Sequence, residues 1–373
     1  MKNLKIIFDN IIFSLQNAGG ISNYWTQLIK QISKNKIFFF ENNNNNIFRK
    51  KININTYKES KFPIQILRYL PFQKKLPSKS IFHSSYLRTT FQKDIVKVVT
   101  IFDFTYEYYE IGIRRLIHSW QKKISINNAD GIICISNNTK KDLLKFYPKL
   151  NKNKIITIYL GVEKSFFQIR NLKKTIKGTE FQKISKKKII LYVGDRKKSY
   201  KNFYLSIEVV SSLKDFTLVA VGGNKITKEE QKLINKKIYG RFQHFHNVNN
   251  EKLNKLYNLA FCLLYPSLYE GFGLPVIEAM RAGCPVVSTN KSSIKEISNN
   301  SALLVNKINK KNFIDAIKLI NKKNIRNSLI KKGLKNSKKF KWKKCADQTL
   351  KFYKKIYFMK FKKKETFHKN IIN

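Results

Sequence analysis

Short apolar runs recur along the chain. Each gives way to a glycine-bearing or polar loop and then to a stretch whose apolar residues fall three and four apart. In the first half the runs are Leu4–Phe8, Ile37–Phe40, Ile81–Tyr86 with its exit loop, Val96–Phe102, Gly131–Ser136 and Lys154–Leu160. In the second half they are Ile189–Val193, Phe216–Val221, Phe261–Tyr265, Pro285–Val287 and Ala302–Val305. Runs that are apolar without alternation fit strands buried on both faces. Strands of that kind alternating with helical stretches predict an α/β fold with doubly wound parallel sheets.

The helical periods run from the Gly19-Gly20 pair to about Ile32, over Ile113–Asn128, over Asn138–Phe146 ahead of Pro148, and over Lys252–Leu259. They continue from Pro275 to Gly283, from about Lys310 to Lys339, and from Trp342 to about Phe361, with a basic tail over Lys360–Lys364. Ser136 suits the N-cap of its helix. Glu41–Asn46 and the polar stretch to about Phe62 read as a flexible, low-complexity loop. The strand–helix pattern restarts after residue 188. The expected division is therefore residues 1–163, a basic linker over 164–188, residues 189–341, and a terminal helix over 342–373.

The most informative stretch runs from Tyr265 to Ser288: strand, loop, helix, strand. Its loop holds Gly271, Phe272, Gly273 and Leu274, and Pro275 sits where a helix starts, since its fixed φ suits the first helical positions. A glycine loop at a helix N-terminus offers backbone N–H groups and the positive end of the helix dipole to an anion. Glu270 and Glu278 bracket that site, and carboxylates accept hydrogen bonds well from sugar hydroxyls. Gly194–Asn202, at the end of another apolar run, adds Arg196 and Lys201, two cations that suit a diphosphate. Gly19 and Gly20 open a helix in the same way near the start of the chain. Asp103, after Val96–Phe102, lies where a strand's carboxyl end meets a ligand in open α/β sheets; it either caps the next turn or touches a ligand. His83 reads as structural, and His244 with His246 lacks a third metal ligand nearby.

Composition changes the picture in one respect. The 373 residues include 75 Lys and Arg against 23 Asp and Glu, a net charge of +52. Such an excess raises nucleic acid, an anionic membrane surface or a polyanionic substrate as partners. The lysines are spread along the chain without a recognised nucleic-acid motif, so no specific nucleic acid is expected; an additive attraction to anionic lipid, about 1 kcal/mol per basic residue near the surface, remains. The four cysteines show neither metal spacing nor a disulfide framework and point to a reducing compartment. Apolar runs fall short of a membrane span, and the start of the chain reads as a first strand rather than a signal peptide.

Tyr-Glu-Gly-Phe-Gly-Leu-Pro followed by Glu-Ala-Met and Gly-Cys-Pro-Val-Val resembles the donor-binding signature of the retaining glycosyltransferases of family four, also called group one. Glu270 and Glu278, separated by seven residues, match its glutamate pair. The resemblance implies the GT-B fold, two Rossmann-like domains facing a cleft, with the terminal helix returning to the first. It implies that Arg196 and the Lys201-Asn202 pair bind the donor's diphosphate, and that backbone around Val248 holds the base. By the same resemblance, Glu278 holds the ribose, Glu270 touches the sugar or diphosphate, and Gly19-Gly20 faces the donor phosphate. It further implies a nucleotide-sugar donor, a glycan or lipid-linked acceptor, no metal and no cofactor, on the cytoplasmic face of the plasma membrane. Phe102 stands where the family commonly has a histidine before Asp103. That departure leaves two alternatives: a catalytically altered or non-enzymatic relative, or, from another class, a basic nucleic-acid-binding protein.

Overall fold

The computed structural model describes residues 4–32 and 37–369, with side chains as far as Phe361. The chain divides into two compact units, Met1–Gly161 with Trp342–Asn373, and Val162–Lys341. Each has a parallel sheet with helices between most successive strands, the arrangement expected of strands buried on both faces.

In the first unit the strands are β1 (Ile6–Phe8), β2 (Ile37–Phe40), β3 (Thr56–Tyr57), β4 (Ile81–Ser84), β5 (Val96–Ile101), β6 (Gly131–Cys134) and β7 (Ile155–Thr157). Their order is β3-β2-β1-β4-β5-β6-β7, with Phe8 opposite His83 and Val98 opposite Gly131. The order reverses between β1 and β4. Phe8, Trp25 and Ile132 are fully enclosed, and Phe8 meets Trp25 edge-on at 5.3 Å. The helix Trp342–Lys369 packs into this unit. Its Tyr353 hydroxyl meets Nδ1 of buried His83, whose Nε2 lies 2.9 Å from the Thr100 hydroxyl. Burial pushes His83 down to about 3, so it is a neutral core residue. Further along, Lys360 donates to Asp130 at 2.7 Å and to the Ile95 carbonyl at 2.6 Å. The rest of the expected basic tail, Lys362–Lys364, has side chains outside the described residues.

In the second unit the strands are β8 (Lys188–Val193), β9 (Phe216–Val221), β10 (Phe242–Phe245), β11 (Cys262–Tyr265), β12 (Val286–Thr289) and β13 (Leu303–Val305). They are ordered β10-β9-β8-β11-β12-β13, and the order reverses between β8 and β11. Ile190, Leu218, Leu264, Val287 and Ile317 are among the residues of its core.

Three stretches differ from expectation or were not foreseen. The asparagine run is tied down by its own side chains. Asn46 is buried, gives its amide to the Gln16 carbonyl at 2.5 Å, and accepts from the N–H groups of Phe48 and Arg49; Glu41 pairs with Arg49 at 2.6 Å. Asparagine side chains mimic backbone turns in this way, and composition alone conceals it. Residues 164–188 carry the short helices Leu172–Ile176 and Phe181–Ile184, and Phe166 and Phe181 lie buried against Tyr257 and Phe245 of the second unit. The helix Lys228–Ile238 opens on a reciprocal cap between Thr227 and Glu230, in a sequence too polar to show a strong apolar period.

Candidate functional site

The sequence-predicted residues fall into two groups, one in each unit. In the second unit most stand on loops leaving the carboxyl ends of strands. Arg196, Lys201 and Asn202 follow β8; Val248 follows β10; Glu270, Gly271, Phe272, Gly273 and Leu274 follow β11; Glu278 lies on the helix Leu274–Arg281. β8 and β11 flank the reversal in strand order, so their loops leave in opposite directions and open a crevice between them, the place where open α/β sheets bind ligands.

Lys201 and Glu270 meet there, although 69 positions separate them. Lys201 Nζ donates to both Glu270 oxygens, at 2.7 and 2.9 Å, and to the Tyr265 hydroxyl at 3.3 Å. A single turn of 3-10 helix, Ser199–Lys201, and Asn202 in the left-handed conformation (φ 55°) aim the lysine. Asparagine tolerates that conformation better than most side chains. The Leu268 N–H, bonded to the Tyr200 carbonyl at 2.7 Å, ties the two loops together. Glu270 is fixed from behind. Its N–H donates to the Ser292 hydroxyl at 2.9 Å, and the Ser293 hydroxyl reaches its carbonyl at 2.9 Å and that of Phe272 at 2.8 Å. Ser292 itself sits at a positive φ of 47°, a costly conformation for a serine, held by this contact set.

Gly273 is required on two counts. Its φ is 100°, and a Cβ there would come within 2.6 Å of Ile294 Cδ1. The helix it starts ends in a paired cap: Gly283 N–H bonds to the Met280 carbonyl and Cys284 N–H to that of Ala279, with Gly283 left-handed. Glu278 on this helix accepts from the Tyr257 hydroxyl at 3.0 Å. Its carboxyl is pushed up to about 7, chiefly by desolvation and further by the charge of Glu163, against the lowering effect of the Tyr257 bond. A carboxylate so short of donors gains from a ligand that brings hydroxyls.

Arg196 is turned inward. It donates to Glu230 (3.2 Å), to the carbonyls of Gly222 and Asn224 (both 2.5 Å), and to His244 Nε2 (2.7 Å). Its guanidinium therefore holds the Gly222–Asn224 turn after β9. His244, lowered by burial and by Arg196 against the effect of the Gly222 carbonyl, is neutral, with its Nε2 between that guanidinium and the carbonyl, 3.0 Å from the latter. Val248 is half-buried in the loop that leads to the helix Asn250–Leu259.

In the first unit, Gly19 is the N-cap of the helix Gly20–Gln31, in extended backbone, where a Cβ would lie 2.5 Å from Gln16 Oε1. Asp103 follows β5. Its Oδ1 accepts from Thr105 N–H at 3.0 Å, so it caps the next turn, while it also lines a pocket of about 180 Å³ with Gln16, Tyr86, Phe102, Tyr106 and His118. Lys122, in the same wall, donates to the Asp103 carbonyl at 2.9 Å and to Glu107 at 2.8 Å. His118 stacks on Tyr106 with ring centres 3.7 Å apart; burial, then Lys122, lowers it to about 3, opposed by Asp103. Gln16 Oε1 and His118 Nδ1 are buried without a partner among the described residues.

Sequence reasoning missed Tyr257, Ser292, Ser293 and the His118–Tyr106 stack. Ser292-Ser293 at the start of a helix after an apolar run was a visible signal; Tyr257 and the stack left none, because only the fold brings them to their partners.

Comparisons with known proteins identify the family. Residues 174–367 match the family described as glycosyl transferases group 1, and residues 18–166 match glycosyltransferase family 4. O-antigen chain mannosyltransferase RfbU of Salmonella typhimurium is 28% identical over 227 residues, 60% of each chain. O-antigen chain mannosyltransferase B of Escherichia coli is 36% identical over 120 residues, 31% of this chain and 30% of that one. The aligned stretches thus span less than two thirds of these relatives' own length. Among solved structures, Anabaena HepE in complex with UDP and glucose shares the fold with a TM-score of 0.73 at 13% identity, over 94% of this chain and 99% of that one. With one family match covering more than half of the chain and a second matching most of its first half, the chain belongs to the group 1 glycosyl transferases, on the two-domain GT-B fold.

Proposed function

We propose that the chain is a retaining glycosyltransferase that moves a hexose, mannose-like or glucose-like, from a nucleotide-sugar to a glycan or lipid-linked acceptor. The pathway we assign is surface polysaccharide or lipopolysaccharide assembly, which is what the names of the mannosyltransferase relatives support. The second unit takes the donor and the first the acceptor. The observation that carries the reading is the Lys201–Glu270 pair at the β8/β11 reversal, beside the helix N-terminus at Gly273.

In this reading the donor's diphosphate competes with Glu270 for Lys201. As the bond between the anomeric carbon and the diphosphate oxygen breaks, charge builds on the leaving group, and the fixed ammonium and helix dipole stabilise it without reorganising. Glu270, released in part from Lys201, accepts hydroxyls of the sugar. Glu278 accepts the ribose hydroxyls with Tyr257 fixing its second oxygen, and the backbone near Val248 borders the base. Arg196 works by holding the glycine turn after β9 in place of the direct contact expected from its position in the loop. On the acceptor side, the pocket around Asp103 combines aromatic rings with unpartnered Gln16 Oε1 and His118 Nδ1, a wall suited to a polyhydroxy ligand. The enzyme acts at the inner face of the plasma membrane as a peripheral protein.

Thermal stabilisation by a panel of nucleotides and nucleotide-sugars tests this, with Glu278→Ala as control. A ligand that binds only the native state raises stability by mass action. One base should stabilise the wild type and fail with the variant. No rise with any member of the panel would overturn the donor assignment.

A further inference from the structure

The pocket beside Asp103 holds more chemistry than a helix cap needs. Its volume of about 180 Å³ is below the roughly 300–1,000 Å³ of sites for drug-sized ligands, so it has room for little more than one six-membered ring. Its own rings are fixed. His118 lies flat on Tyr106, with 10° between the planes, and meets Tyr86 edge-on at 6.3 Å. An aromatic face carries partial negative charge and attracts the C–H groups of a ring laid against it. Gln16 Oε1 and His118 Nδ1 are buried there with no partner among the described residues, and a buried polar atom left unmet is costly until a ligand supplies the bond. A ligand that offers C–H groups on its faces and hydroxyls at its edge is a sugar ring.

Two charges face such a ligand. Lys122 is not one of them, because its Nζ is taken by Glu107 and the Asp103 carbonyl, and Glu107 also accepts from the Ser119 hydroxyl at 3.1 Å. Asp103 is the first, with one carboxylate oxygen on the Thr105 N–H. Arg68 is the second. Its carbonyl is held by Gln121 Nε2, on the helix Gly112–Asn128 that also carries His118 and Lys122. Its guanidinium carbon lies 5.0 Å from the ring centre of Tyr69 and 5.5 Å from that of Tyr86. Stacking on rings fixes the guanidinium plane and leaves its N–H edge for a partner. Among the described residues no carboxylate pairs with it, and its Nε is buried without an acceptor. Its charge reaches into the pocket: it opposes the burial that pushes the Tyr86 hydroxyl up to about 12, and adds to the burial that lowers His118.

We propose that this pocket seats one sugar ring of the acceptor, with its hydroxyls on Asp103, Gln16 and His118, and that Arg68 at the margin pairs with an oxyanion carried on that sugar, a carboxylate or a phosphate. The assignment rests on the first unit taking the acceptor, as proposed above. The two signs of charge divide the site. Asp103 repels an anion from its own wall, and Arg68 attracts one to the margin. The paired N–H groups of a guanidinium match either oxyanion. A net charge of +52 draws anionic ligands to the chain in any case. A neutral hexose would use the rings and the unmet polar atoms but leave Arg68 unpaired.

The test is a nuclear magnetic resonance titration of the full chain labelled with carbon-13 at histidine. The chain has five histidines, and His244 and His246 lie in the second unit, so the signals tell the two units apart. His118→Gln assigns its own signal. The ligands are glucose and mannose, their uronates and their 1-phosphates, with inorganic phosphate as the control that lacks a ring. The His118 signal should move with an anionic sugar at a dissociation constant about tenfold or more below that of the neutral sugar, the order expected of one charge-assisted pair. Preference for the uronate identifies the oxyanion as a carboxylate, and preference for the 1-phosphate identifies it as a phosphate. Arg68→Gln should bring the anionic sugars to the level of the neutral ones and leave the neutral ones unchanged, while Arg68→Lys should recover part of the difference. Circular dichroism and stabilisation by the donor nucleotide should stay as in the wild type, since Arg68 lies outside the second unit. A His118 signal that no sugar moves would overturn the proposal. So would equal affinity for neutral and anionic sugars, or a preference that survives Arg68→Gln. These failures would leave the donor stabilisation of the thermal panel untouched. Conversely, a pocket that binds anionic sugars in a chain that no nucleotide stabilises would keep the site and remove the transferase reading.

Discussion

Glu278 joins a stability cost to the binding role proposed for it. Its carboxyl titrates near 7 in the fold against about 4.3 in an unfolded chain. The folded state therefore holds this proton over a range where the unfolded state has released it, and stability falls as pH rises from about 4.3 to 7. Glu278→Gln removes the cost while its amide oxygen still accepts from Tyr257. The variant should be more stable than wild type at pH 8 by about 1–3 kcal/mol, with the gain vanishing near pH 4, as read by urea melts at both values. Donor binding should show the opposite sensitivity. If the ionised carboxylate receives the ribose hydroxyls, wild-type affinity should weaken up to about tenfold per pH unit below 7, and the Gln variant should lose that dependence along with most of its affinity.

Lys201 and Glu270 form the other residue-scale test. Lys201→Met leaves an enclosed carboxylate without its partner and should cost about 3 kcal/mol, while the double variant Lys201→Met/Glu270→Gln recovers most of it; the coupling in that cycle measures the pair. Transfer should fall by about 10²–10³ in Lys201→Met, as for loss of a preorganised charge, and stay low in the double variant. Rescue of activity along with stability would show that the pair is structural.

At the scale of the element, the glycine loop after β11 and its helix are specified locally at both ends. Gly273 launches the helix at a positive φ, and Gly283 with Cys284 closes it. Gly273→Ala combines backbone strain with a 2.6 Å approach to Ile294 and should destabilise by about 2–4 kcal/mol, more than Gly283→Ala, whose Cβ meets only the flexible Gln168 side chain. Chemical denaturation of the two variants checks the order. Caps elsewhere follow the same logic. Ser136 accepts from Thr139 N–H at 2.9 Å, and Ser136→Ala should cost about 1 kcal/mol by the same measurement.

These elements were also the most legible in the sequence, because glycine, proline and capping side chains act over a few residues. The apolar runs announced most of the strands for a similar reason: a strand covered on both faces has no polar alternation to obscure it. β10 was not read, since Phe242–Phe245 includes Gln243 and His244 and is only half-buried. The helix Lys228–Ile238 was missed because its cap, not its apolar face, defines its start.

At the scale of the whole molecule, the terminal helix belongs to the first unit in space and not to the segment it follows in sequence. It covers His83 and β6, placing Phe352 and Ile356 about 3 Å from where a Cβ at Gly131 would stand. Removing residues 342–373 should expose that core. Hydrogen exchange should then show loss of protection in β4, β5 and β6, while the second unit, whose core contains none of these residues, keeps its own and its response to donor nucleotide.

The sequence by itself determined the alternation of strand and helix, the glycine and proline positions around the loop after β11, and the glutamate pair that marks the family. All of these depend on neighbours a few residues apart or on a spacing visible in one dimension. Only the tertiary structure decided which charges meet. It set Lys201 on Glu270, turned Arg196 away to hold the Gly222–Asn224 turn, and put Tyr257 on Glu278. It also left Ile113, Leu116 and Trp120 in water on a helix whose apolar period alone would have placed them in a core. The physical reason is the same in each case: pairing, desolvation and exposure depend on distance through space, and strand order converts distant sequence positions into contacts that no local pattern records.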